Sequence, residues 1–118
     1  MTLRTELSAA LDRLEASMRA AGIWNQPLPT PEAFASREPF AIDKMSLPQW
    51  LRYVFVARMR ELLAAGKALP ESCSIGPAAQ AYLPEMSQGA RVPLIQVLNE
   101  IDELITDGTD DGAQTLMH

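Results

Sequence analysis

Few side chains in this chain could do chemistry on a substrate, and each can be weighed from its neighbours. The single histidine, His118, is the final residue, in a stretch rich in Asp, Gly and Thr that reads as a frayed end. A histidine without fixed neighbours sets aside imidazole acid–base catalysis, imidazole metal ligation and a Ser-His-Asp relay. Cys73 is the one cysteine, so it forms no internal disulfide, and the sequence places no basic partner beside it that would hold a thiolate; it reads as structural. Asp107-Gly108-Thr109-Asp110-Asp111-Gly112 has the composition of a calcium loop but lacks the alternating ligand spacing and the closing glutamate. There is no Gly-rich phosphate loop or dinucleotide fingerprint, and no cofactor or metal is expected. One constellation remains: Trp24, Trp50 and Arg58, a guanidinium among aromatic rings that could bind a carboxylate in a pocket between helices. Core packing explains the same residues more simply.

Arg58 must be positioned by the stretch 39–63, the organising segment of the chain. Ser46 is a helix-capping residue with Gln49 three places on, the spacing at which side chain and backbone cap each other, and Pro48 falls in the first turn. At 3.6 residues per turn Leu47, Trp50, Leu51, Val54, Phe55 and Leu62 share one broad face, so Trp50 is expected to be buried, Tyr53 to lie on the outer side and Arg58 to fall mid-face. A guanidinium there needs an acceptor. Asp43, just before the helix, is the expected partner, with Asp102 and Glu103 as others; the alternatives are a snorkelling rim arginine or a ligand-binding one.

The flanking elements follow from periodicity and breakers. Over residues 3–21, Leu3, Leu7, Ala10, Leu11, Leu14, Met18 and Ala21 recur every three or four positions, an amphipathic helix closed by Gly22. Residues 23–44 carry Pro27, Pro29, Pro31 and Pro39, which forbid a continuous helix but allow one turn capped by Thr30. Trp24, Phe34 and Phe40 suggest that this connector packs down on the core, the alternative being a partner-binding loop. After a loop over 67–75, Gly76-Pro77 opens a short helix over 78–83 that Pro84 kinks or stops. Ser87-Gln88-Gly89 reads as a turn, and the last helix as 92–105 with Pro93 in its first turn.

The central stretch also carries a resemblance. Pro39-Phe40-x-x-Asp43-x-Met45, then Trp50-Leu51-x-x-Val54-Phe55-x-x-Arg58-Met59, with Leu69-Pro70 and Ile75-x-Pro77 downstream, resembles the signature of the YqcC-like family of small bacterial proteins of unknown function. The likeness extends from about residue 7 to 105. Lys44, Arg52 and Ala57 stand where that pattern has Thr, Gln and Pro, so those positions should carry nothing the family depends on. The resemblance implies a small helical protein; some members are encoded beside a tRNA pseudouridine synthase and labelled after it. Such a synthase needs a catalytic aspartate on a mixed fold with strands, and this chain shows no alternating strand pattern.

Length and charge bound the rest. At 118 residues, with 47% hydrophobic and 21% charged, the chain is of ordinary globular composition, and a net charge of −5 argues against nonspecific binding to nucleic acid or membranes. The charge is uneven: residues 44–67 hold five bases against one acid and residues 100–118 six acids and no base, which suggests an attraction between the two. No apolar run nears the roughly 20 residues that span a bilayer, and no leader is visible, so the expected location is the cytoplasm. The expected fold is all-α, a small four-helix bundle, up-and-down, with a long proline-rich connector between helices 1 and 2. A single domain is expected over 1–106 and a flexible acidic tail over 107–118. The function read from these features is a non-enzymatic protein-interaction or accessory module whose partner is another protein, with Trp24, Phe40, Asp43, Trp50 and Arg58 as candidate structural or partner-binding residues. The alternatives are an accessory factor in tRNA modification that binds RNA through Arg52, Arg58, Arg60 and Lys67, and a small-molecule-binding protein. Nothing in the sequence sets an oligomeric state.

Overall fold

The first helix forms where its stripe and caps agree. In the computed structural model, which describes residues 2–108, α1 runs Leu3–Ala20 with the Thr2 hydroxyl accepting the Thr5 N–H. Its buried side chains are Leu7, Ala10, Leu11, Leu14 and Met18, the expected stripe. The helix closes as a Schellman motif. Gly22 takes φ 75°, its N–H donates to the Arg19 carbonyl, and the Ile23 N–H reaches back to Met18 at 2.9 Å.

Residues 21–46 hold one short helix, α2, Pro31–Phe34, capped by Thr30. A single 3-10 turn, Pro39–Ala41, comes after it. The stretch 24–27 is tied to the central helix by three side chains at positions i, i+3 and i+4: Gln49 donates to the Pro27 carbonyl, Arg52 to that of Trp24 and Tyr53 to that of Gln26. Tyr53 is therefore half-buried rather than on the outer side. Trp24 is buried, and the guanidinium groups of Arg52 and Arg19 lie 4.6 and 5.3 Å from its ring. Phe34 is 47% exposed, so it does not join the packing expected of it.

The central helix α3 occupies residues 47–65 and begins with the Ser46–Gln49 capping box. It ends at Gly66 (φ 67°) in a second Schellman motif. Between Leu47–Trp50 and Ala57–Ala65 the segment Leu51–Val56 is π-helical. A π turn takes in one residue more than an α turn, which rotates the downstream half of the helix by about 100° against a uniform 3.6-residue period. The buried side chains are consequently Leu47, Pro48, Leu51, Phe55, Val56 and Met59. Trp50, expected to be buried, is half-buried together with Val54 and Leu62, and Arg58, expected mid-face, is exposed.

Helix α4, Ile75–Tyr82, starts before the expected position because the Asp102 carboxylate, far away in sequence, accepts the N–H groups of Ile75 and Gly76, each at 2.7 Å. It stops before Pro84. Helix α5, Gln88–Gly108, begins at Gln88 rather than Val92: the Ser87 hydroxyl accepts the Ala90 N–H, and Pro93 lies inside the helix rather than in its first turn. α1 and α4 both pack along α5, and Leu7, Leu11, Leu14 and Met18 share one core with Leu94, Leu98, Ile101 and Ile105.

The fold is all-helical, and there is no strand among the described residues. The expected attraction between the basic central segment and the acidic end takes another form. Both are paired with α1: Glu100 with Arg13 at 2.9 Å, and Arg60 with Asp12 at 2.8 Å. Asp107 and Gly108 continue α5; the remainder of the expected tail, most of the calcium-like stretch and His118 lie outside the described residues. Among the described residues no helix is long and apolar enough to cross a membrane.

Candidate functional site

A groove of about 380 Å³ opens where three irregular pieces of backbone meet. The first is the turn at Phe40 and Ala41, whose φ angles of 58° and 48° are left-handed. Neither residue is glycine, so each conformation costs about 1–2 kcal/mol and is held by its surroundings. The turn sets the Phe40 ring edge-on to Trp50, centroids 5.0 Å apart and planes at 80°. The second piece is the π-helical segment, which brings Val54, Phe55, Arg58 and Met59 to the same wall, with Phe55 stacked on Trp50 at 5.7 Å. The third is the segment leading into α4, where Cys73 and Ser74, with Ile75 at the helix start, form the opposite wall.

Hydrogen bonds to α5 fix this opposite wall. The Cys73 N–H donates to Thr106 Oγ1 at 3.0 Å, and the Thr106 hydroxyl donates to the Cys73 carbonyl at 3.3 Å. Asp102 holds the amides of Ile75 and Gly76. Burial, with the neighbouring Asp102 carboxylate, pushes the Cys73 thiol well above its ordinary range and keeps it protonated. It is a poor nucleophile, in line with its reading as structural.

Of the residues singled out in the sequence, Phe40, Trp50 and Arg58 come together here. Trp24 does not. It sits against Arg19 and Arg52, away from the groove, so the Trp24–Trp50–Arg58 pocket does not form. The expected Asp43–Arg58 pair is absent as well: Asp43 accepts the Ser36 hydroxyl at 2.5 Å, and Arg58 has no ion pair or hydrogen bond among the described residues. The π-helical rotation that turns Arg58 to the rim removes the need for a buried counter-charge. Arg52, which the alternative reading offered as an RNA contact, is a packing residue between Trp24 and Tyr53. Sequence reasoning missed the wall from Cys73 to Ile75; its only local signal was Gly76, whose Cβ, were one present, would collide with Asn99 and crowd Asp102.

Among the described residues no group of three or more His, Cys, Asp or Glu side chains is placed to hold a metal ion.

Comparison with known proteins bears on what this arrangement serves. The family model described as DUF446, tRNA pseudouridine synthase C, matches residues 6–104. An uncharacterized protein of Haemophilus influenzae is 37% identical over 88% of this chain and 87% of its own length. The tRNA pseudouridine synthase C of Pectobacterium carotovorum is 26% identical over 95% of this chain, yet the match spans only 35% of that protein. The solution NMR structure of YqcC from Escherichia coli superposes with a TM-score of 0.76 at 30% identity, over 92% of each chain. The chain thus belongs to the YqcC-like, DUF446 family.

Proposed function

We propose that the chain is a non-enzymatic helical interaction module serving a tRNA-modifying enzyme of the pseudouridine synthase C kind. The observation that carries this reading is the unequal match to the Pectobacterium carotovorum synthase: nearly all of this chain corresponds to about a third of that protein, which leaves the other two thirds for a catalytic unit. Two such units in one polypeptide are held at high effective concentration; encoded apart, they must recognise each other through a surface. In this reading α1, α3, α4 and α5 make an up-and-down four-helix bundle, residues 1–106 are one domain, residues 23–44 are its connector, and the protein works in the cytoplasm.

The groups that would do chemistry, and two of the four bases that would bind RNA, are committed elsewhere, which supports a protein contact. The Cys73 thiol is held protonated, and the Asp102 carboxylate is occupied by two backbone amides. Of the four bases expected to contact RNA, Arg52 is spent on Trp24 and Arg60 on Asp12. Calorimetric titration of the purified chain with the synthase C of its own host should give a saturable, equimolar complex. Absence of a complex up to about 100 μM, or a mobility shift of bulk tRNA by the chain alone below that concentration, refutes the reading.

A further inference from the structure

We infer that the groove between α3 and the segment preceding α4 is the docking site for one segment of the partner protein, an apolar side chain with a carboxylate close beside it. This rests on the reading of the chain as an interaction module and names the surface that module uses. The groove wall is apolar and aromatic, from Phe40, Trp50, Val54, Phe55 and Met59, and among the described residues its one charged lining side chain is Arg58. No acid of the described residues lines it, in a chain whose net charge is −5. Arg58 is exposed and, like Arg37 on the connector, has no carboxylate or carbonyl partner among the described residues, whereas Arg4, Arg13, Arg19, Arg52, Arg60 and Arg91 each have one; of the two unpaired arginines only Arg58 lines the groove. Charge complementarity therefore asks the occupant for an anion at the rim, and the aromatic floor asks it for an apolar group inside. Tryptophan and arginine side by side are the composition of interface centres, where exclusion of water strengthens a charge-assisted pair.

The backbone points the same way. Left-handed φ at Phe40 and Ala41 and a π-helical segment at 51–56 are both costly departures, and both act on this one wall. The turn carries Phe40 onto Trp50; the π segment turns Arg58 out of the core while leaving Phe55 and Met59 in it.

The test uses the full chain and the host's synthase C in calorimetry at about 150 mM salt. Arg58→Glu, at an exposed position, should leave the thermal midpoint unchanged and weaken binding at least about 30-fold, and Arg58→Ala about 10-fold. Arg91→Glu, beside a separate hollow formed with Leu83, Glu85 and Met86, should bind within about 2-fold of the parent, the scatter expected of a charge far from the contact. A complex that Arg58→Glu leaves unchanged overturns the groove while the partnership stands. No complex with the unaltered chain overturns the partnership and the groove with it. An array of overlapping peptides covering the synthase, probed with the parent and with Arg58→Glu, then reads the occupant. Parent-specific binding to peptides that place Asp or Glu beside an apolar residue supports the inference; binding only to basic peptides, or to none, overturns it.

Discussion

Replacing Asp102 by alanine removes the acceptor of two backbone N–H groups at once, those of Ile75 and Gly76, both buried at the start of α4. A buried amide left without a partner costs about 1–3 kcal/mol, and loss of a helix-capping side chain about 1. Asp102 itself is half-buried, so water can partly replace the carboxylate, and the lower part of the range applies to each amide. Asp102→Ala should therefore destabilise by about 3 kcal/mol. Asp102→Asn keeps one acceptor but turns an NH2 group toward the other amide, and should cost about 2. Urea denaturation near neutral pH, read by circular dichroism, gives both values from the midpoint at unchanged slope. The same variants carry a second readout, because the Asp102 carboxylate helps to hold the Cys73 thiol protonated. Cys73 should react faster with a disulfide reagent in Asp102→Asn than in the parent, well below the unfolding midpoint. A loss under about 1 kcal/mol in Asp102→Ala would refute the claim that this carboxylate starts α4.

Cys73 in the parent should be modified at least about 100-fold more slowly than free cysteine at mildly alkaline pH, since only its thiolate reacts and burial disfavours that form; fast modification in the folded protein would contradict its burial. The folded thiol titrates above the unfolded one, so stability is fully present below the unfolded value and declines as pH rises past about 8.5, a decline that Cys73→Ala should reduce. The Arg13 guanidinium holds the Glu100 carboxyl below its ordinary value, so that pair contributes above the unfolded carboxylate pKa and is lost as pH falls through the folded one. Both side chains are largely exposed, and Glu100→Gln should cost only a few tenths of a kcal/mol near pH 7, a difference that vanishes by about pH 3 in parallel urea melts. Trp50→Ala should cost about 3 kcal/mol, at the low end for a large aromatic because the ring is half-buried, although it packs on both Phe40 and Phe55; a loss under about 1 would show that the aromatic stack contributes little.

What was legible in the sequence was what neighbouring residues decide. The α1 stripe, the stop at Gly22, the Thr30 cap and the Ser46–Gln49 box each involve groups within a few positions of one another, and each appears where the sequence places it. The start of α4 could not be read, because its cap arrives from α5. The start of α5 was locally signalled by Ser87, but Pro93 drew the boundary too late. The candidate groove was half legible. Phe40, Trp50 and Arg58 stand out by type, yet their meeting depends on a left-handed turn at two residues that are not glycine and on a π-helical segment, neither of which hydrophobic periodicity encodes. A uniform period placed Arg58 inward and so called for Asp43 as its partner; a rotated one needs no such pair.

The π-helical segment also makes α3 tolerant of a change of length that an ordinary helix is not. Deleting one residue within Leu51–Val56 should let the helix regularise, a change that removes no hydrogen-bonding group from its ends. The position lost and the lag removed are each worth about 100° and cancel, so everything after the deletion would keep its bearing. Met59 would stay in the core, Arg58 at the rim and Arg60 within reach of Asp12. Gln49, on the near side of the deletion, would keep its hold on Pro27, while side chains inside the segment, such as Tyr53 against Gln26, would shift. In a uniform helix the same loss would swing every later residue by about 100°, as a frame error does every later word of a message; here an in-frame codon loss would be absorbed where it falls.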